Sequence, residues 1–161
     1  MNFSERYVSD IYFKREDLQV VRSYKLRGAF NKINSLSNHE KEHGITCASA
    51  GNHAQGIAYS CHLLNVKGKI FMPETTSGQK IKQVELFGKS SVEIVLAGDT
   101  FDDAYEYALQ SAKKNSRVFI HPFDDEKVIA GQGTVALEIL KENRDPIDYL
   151  FVPIGGGGLA A

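Results

Sequence analysis

The sequence predicts an α/β protein built on parallel sheets. Three observations lead there. Strand-like and helix-like patterns alternate through the middle of the chain, which calls for crossover connections between parallel strands. Each intervening helix candidate carries an apolar stripe at spacings of three and four. Loops of small residues follow directly on strand candidates, which is where such sheets bind ligands.

Residues 11–13 (Ile11, Tyr12, Phe13) read as a short strand, followed by the charged run Lys14, Arg15, Glu16, Asp17. The stretch 22–28 leads into a helix with Leu26, Ala29, Phe30, Ile33 and Leu36 on its apolar face and Ser23 as N-cap. Ser37 with Glu40 three residues on forms a capping box for a short helix that Gly44 ends. Residues 45–49 are a strand, and Ala54, Ile57, Ala58, Cys61 and Leu64 mark the helix after it. Residues 69–72 are the next strand. Ile81, Val84 and Phe87 mark a helix stopped by Gly88. Residues 92–96 are a strand, and Thr100 with Asp103 caps a helix whose apolar face is Phe101, Ala104, Tyr105, Ala108 and Ala112. Residues 118–120 are a strand before a helix carrying Val135, Ile139 and Leu140. Residues 149–154 read as the last strand.

The chain has 161 residues, one domain by length, and its 42% apolar content suffices for a core. A net charge of −1 gives nucleic acid and anionic membrane surfaces nothing to recognise. No signal peptide opens the chain, and no apolar run is long enough to span a bilayer. Cys47 and Cys61 fit neither a disulfide framework nor a metal pattern, so a reducing, cytoplasmic setting is expected. His39 and His43 lack an acidic or thiol partner and read as surface residues. Cys47, His53, Cys61 and His62 also lack ligand spacing, so no metal is expected. The sequence ends on a glycine loop where a strand should turn into a helix.

Lys25 is the first candidate for chemistry. It stands at a helix start, beside the partial positive charge of that terminus and near Arg22 and Arg27. Such surroundings favour a free amine, which can attack a carbonyl and form a Schiff base. The competing reading is a solvated lysine in a basic surface run. Three loops accompany it. Ser49, Ala50, Gly51, Asn52 and His53 open a helix after a strand, where backbone N–H groups can meet an anion, or simply form a tight turn. His53 taken alone reads better as a capping or packing residue than as a base. Gly155, Gly156, Gly157 and Gly158 with Leu159 expose consecutive N–H groups and can form a nest for a phosphate; the alternative is a flexible linker. They match neither the dinucleotide fingerprint nor a P-loop. The third loop, Pro122, Phe123, Asp124 and Asp125 with Gly131, Gln132, Gly133 and Thr134 beyond it, reads as close helix–sheet packing rather than a ligand site.

Five ordered stretches together resemble the fold type II pyridoxal-phosphate enzymes of the threonine dehydratase and serine dehydratase group. They are residues 13–19, 23–29, 49–56, 128–134 and 153–159, and the likeness spans nearly all of residues 11–161. Residues 71–76 look more like the biosynthetic threonine dehydratases. The resemblance implies pyridoxal 5'-phosphate as cofactor and an amino acid as substrate. Lys25 would be the catalytic residue and carry the cofactor. Asn52 would bond the ring hydroxyl and Tyr24 would pack beside the ring. Gly155 to Gly158 and Leu159 would offer N–H groups to the phosphate, and Ser49, Gly51, Asn52 and His53 would hold the substrate carboxylate. The implied reaction converts L-threonine to 2-oxobutanoate and ammonia, in isoleucine biosynthesis. Relatives of this kind are expected to be cytoplasmic homo-oligomers.

Residues 1–37 and 148–161 would then belong to a large cofactor domain and 38–147 to a complete small one. The large domain would be truncated, and the isolated chain is expected to be inactive. A serine dehydratase, serine racemase or threonine synthase-like enzyme is the alternative within the fold. A noncatalytic module that binds a small anion or a full-length subunit is the alternative outside it.

Overall fold

The computed structural model describes residues 2–142 and 146–161. Its elements run α1 (Phe3–Tyr7), α2 (Lys25–Asn34), α3 (Asn38–His43), β1 (Ile45–Ala48), α4 (Asn52–Leu64), β2 (Gly68–Met72), α5 (Gly78–Gly88), β3 (Val92–Leu96), α6 (Phe101–Lys114), β4 (Val118–Phe119) and α7 (Glu126–Glu142). A short 3-10 turn spans Glu16–Leu18. The four strands form one parallel sheet in the order β3-β2-β1-β4. The crossover expectation is met, and the sheet has the helical cover that parallel strands require.

All four residues of β1 are buried, as befits an inner strand. Ile45 and Cys47 enter the larger core, with Ala29 and Ile33 of α2, Ala54, Ile57 and Cys61 of α4, Val84 of α5 and Val128 of α7. Ala48 faces the other way, onto a smaller core with Phe71 and with Ala104 and Ala108 of α6. The result is three layers: four helices, the sheet, then α6.

The local signals explain most boundaries. Ser37 and Glu40 exchange the two bonds of a capping box at α3, and Gly44 ends that helix at φ 84. Thr100 and Asp103 do the same at α6. At α7, Asp125 Oδ1 accepts the N–H groups of Lys127 at 2.9 Å and Val128 at 3.1 Å.

Three expectations need correction. Residues 11–13 form no strand, and Tyr12 is 80% exposed. Residues 149–154 form none either, and Phe151 is 91% exposed. Strand composition is not enough where no neighbouring strand supplies a ladder for the backbone groups. Ser23 is not the cap residue of α2, which is Tyr24; instead the Ser23 hydroxyl accepts the Lys25 N–H at 3.2 Å from one residue further out.

Candidate functional site

The site gathers where β4 ends. Past Phe119 the chain stays in the ladder for one more residue, since the Ile120 N–H donates to Thr46 O at 2.9 Å. It then turns sharply. His121 Nδ1 accepts the N–H groups of Phe123 at 3.3 Å and Asp124 at 2.7 Å, which fixes the corner 120–123.

Lys25 reaches this corner from the first turn of α2. Its Nζ donates to Pro122 O at 2.7 Å, between residues 97 apart in the chain. The same Nζ lies 5.5 Å from the centroid of the Tyr24 ring. Burial pulls the Lys25 pKa below its ordinary value, because an ammonium is poorly solvated there. The direction agrees with the sequence reading, but burial is its cause rather than the helix terminus and the neighbouring arginines. Arg27 is turned away into ion pairs with Glu16 at 2.7 Å and Glu138 at 2.6 Å. These hold the Glu138 carboxyl down at about 2, the Arg27 bonds contributing most and Lys14 adding to them.

His53 reaches the corner from α4. Its imidazole is 3% exposed, with Nε2 3.3 Å from Ile120 O. A carbonyl only accepts, so Nε2 carries the proton and Nδ1 is bare; Nδ1 is buried with no partner. Burial pushes the His53 pKa down to about 3, with the positive charges of Lys25 and His121 adding to it against the Ile120 bond. The ring is therefore no proton-transfer group near neutrality, and the packing reading prevails. Only its backbone N–H remains for an anion loop.

That loop is otherwise laid out as expected. The Ser49 N–H donates to Phe71 O at 3.0 Å, and Ser49 Oγ accepts the Gly51 N–H at 3.2 Å. Gly51 precedes α4, so the N–H groups of Asn52, His53 and Ala54 have no acceptor within the helix. The Asn52 side chain is exposed. Among the described residues no hydrogen bond joins Ser49 or Asn52 to the Lys25 amine, which is given to Pro122 O.

The glycine loop packs on the same corner at Phe123. A Cβ at Gly156 would lie 2.4 Å from the Phe123 ring, and one at Gly158 would lie 2.7 Å from Phe123 O. Gly155 and Gly157 face open space, and Gly157 holds φ +88, a conformation other residues rarely adopt. Leu159 is half-buried. The residues after the loop form a turn in which Gly157 O accepts the Ala160 and Ala161 N–H groups at 2.8 and 3.1 Å.

The remaining candidates fall to structure. Gly131 and Gly28 bring α7 and α2 into backbone contact: a Cβ on Gly131 would meet Arg27 O at 2.6 Å, and one on Gly28 would meet Val128 O at 2.6 Å. The packing expectation holds, between helices rather than helix and sheet. His39 and His43 are exposed with rings 4.4 Å apart. No cluster of three potential metal ligands occurs among the described residues. Nor is any described helix long and apolar enough to cross a membrane. Two surface cavities of about 190 and 370 Å³ lie away from the corner.

Sequence reasoning missed the corner itself. Its signal was Pro122 and Phe123 directly after a strand, assigned above to packing.

Comparison with known proteins bears on the same residues. The sequence matches the family described as pyridoxal-phosphate dependent enzyme over residues 1–161. It is 60% identical over 156 residues to the biosynthetic L-threonine dehydratase of Halalkalibacterium halodurans, covering 97% of this chain and 38% of that protein. The Bacillus subtilis protein of the same name is also 60% identical, with 97% of this chain and 37% of that protein covered. The chain thus spans less than two fifths of the length of these relatives. Among solved structures, the processed form of threonine deaminase isoform 2 from Solanum lycopersicum superposes with a TM-score of 0.92 at 47% identity, covering 97% of this chain and 42% of that one. Maize serine racemase superposes with a TM-score of 0.91 at 30% identity, covering 98% of this chain and 46% of that one.

Proposed function

Since the chain belongs to the pyridoxal-phosphate-dependent enzyme family, we propose that it supplies the lysine, asparagine and glycine-loop parts of a site that deaminates L-threonine to 2-oxobutanoate and ammonia. The observation that carries this is the convergence at residues 120–123. Lys25 Nζ rests on Pro122 O, and the glycine loop rests on Phe123, the next residue. The higher identity to threonine dehydratases and to the tomato threonine deaminase than to the maize serine racemase favours threonine over serine.

The residues present fit pyridoxal phosphate. A half-buried amine with lowered basicity suits an aldehyde; it is bonded to Pro122, and the following residue, Phe123, carries a loop whose open positions, Gly155 and Gly157, leave room for an anion. When bound, the cofactor supplies an electron sink for charge left at the substrate α-carbon. The protein does the rest. Lys25 Nζ would hold the aldehyde carbon and, once freed by the incoming substrate, move the α-proton. Its lowered pKa keeps more of the amine unprotonated and ready to accept. The backbone N–H groups of Gly155 to Gly158 and Leu159 would hold the phosphate. Asn52 would bond the ring hydroxyl, and Tyr24, already against Lys25, would line the ring. Ser49, Gly51, Asn52 and the N–H of His53 would orient the substrate carboxylate at the α4 terminus.

On this reading residues 1–37 and 148–161 belong with a cofactor domain and 38–147 form the smaller domain. The whole enzyme would be a cytoplasmic homo-oligomer.

Two measurements test the reading. Chain treated with pyridoxal phosphate and then borohydride should carry the reduced adduct on the Lys25 peptide, and Lys25→Ala should lose it. Labelling spread evenly over surface lysines would overturn the assignment. Within a polypeptide of the relatives' full length, L-threonine should be turned over faster than L-serine or phosphohomoserine. Preference for either alternative would move the chain to a sister reaction.

A further inference from the structure

The His53 side chain has no part in the proposed chemistry, yet it is buried at the one place where three functional segments meet. Its Nε2–H points at Ile120 O, one residue past β4. Two residues on, Pro122 O receives Lys25 Nζ. One residue further, Phe123 fills the space beside Gly156 and Gly158. His121, between them, is committed to its own turn through Nδ1. The chain from 120 to 123 is therefore held at its start by His53 and presents Lys25 and the glycine loop with their seats.

We propose that His53 is a positioning residue: through its bond to the Ile120 carbonyl it fixes the corner that seats the Lys25 amine and the glycine loop. The proposal deepens the reading of Lys25 as the cofactor lysine and rests on it. Donation to a carbonyl needs a neutral ring with the proton on Nε2. Burial supplies the neutral ring, since protonation there would put a second charge near Lys25 in a poorly solvated place. The groups facing the ring that bear charge are Lys25 and His121, and both oppose its protonation. Among the described residues the bare Nδ1 has no donor. Among the described residues that makes Nε2–H the one polar tie of the side chain, so losing it frees the corner without a substitute.

The test needs no cofactor, so it fails or succeeds independently of pyridoxal binding. In the unaltered 161-residue chain, nitrogen NMR of the imidazole should show the Nε2–H tautomer, unprotonated down to pH 5. An Nδ1–H tautomer, or protonation near pH 6.5, overturns the proposal. The second readout is the pH dependence of Lys25 acylation, followed by peptide mass spectrometry. In His53→Leu, water enters the loosened corner and Lys25 becomes more basic. Its acylation at pH 7 should slow about threefold or more, since each unit of basicity changes the free-amine fraction tenfold. His53→Gln keeps an N–H donor and should restore the rate at least in part. Wild-type Lys25 reactivity in folded His53→Leu, or equal loss in both variants, rules the role out. If His53→Leu does not fold, the NMR result in the unaltered chain decides alone.

Discussion

At the scale of single residues, buried position rather than residue type decides chemistry here. Lys25 and His53 both have depressed basicity, and burial is the first cause of each. The consequence for stability has a sign. The unfolded chain binds a proton on His53 at pH values below about 6.5, whereas the folded chain resists until about 3. Stability contributed by the neutral ring is complete above the unfolded value and is lost as pH falls through that window. The lowered Glu138 adds in the same direction at lower pH, between its ordinary value of 4.5 and about 2. Urea denaturation should therefore show stability falling from pH 6.5 to pH 4, by up to about 1.4 kcal/mol per pH unit for the buried His53 ring. His53→Gln should flatten the upper part of that slope. Lys25 was legible as a candidate from sequence because it opens a helix. The corner that receives it was not, because Pro122 is 97 residues away and no local periodicity connects the two.

At the scale of elements, the helices from α2 onward were read, α1 was not, and two strands were misread. Capping residues and three-four spacing are local, and they place both ends of α3, the start of α6 and the Gly88 end of α5. Apolar faces were read less evenly: Ala104, Ala108 and Ala112 are buried, while Phe101 is 46% and Leu140 69% exposed. A strand, by contrast, is defined by its neighbour. Residues 45–48 pair with β2 along their length and with β4 at Ile45 and Thr46, while residues 11–13 and 149–154 have no strand partner among the described residues. The α2–α7 contact makes a sharp prediction about glycine. Gly131→Ala would drive its methyl group against the backbone of Arg27 and Gly28, so it should cost about 1–3 kcal/mol. Gly133→Ala meets nothing within 4 Å on the same helix and should gain about 0.5–1 kcal/mol from helix propensity. Urea midpoints of the two variants should move in opposite directions. Movement in the same direction would show that the helices are not pressed together as described.

At the scale of the whole molecule, the sheet and its two helical layers form a core that is closed, while the segments flanking it are open. Lys14 pairs with Glu138 and Glu142, and Arg27 with Glu16 and Glu138, so the segment before α2 is tied to α7 by charge. Pairs of this kind near the surface weaken with salt. Tyr149, Phe151 and Ile154 carry their apolar surface into solvent. Stability thus resides in the layers around β1, where Cys47 and Cys61 lie fully covered. Burial pushes the Cys61 thiol up to about 12 and Cys47 well above the usual range, so neither offers a thiolate to a reagent at neutral pH. Those two sulfurs are a built-in clock. A thiol dye should ignore the native protein and register only the moments when the layers part. Its colour should develop at the opening rate, and both sulfurs should be counted together if the layers come apart as one unit.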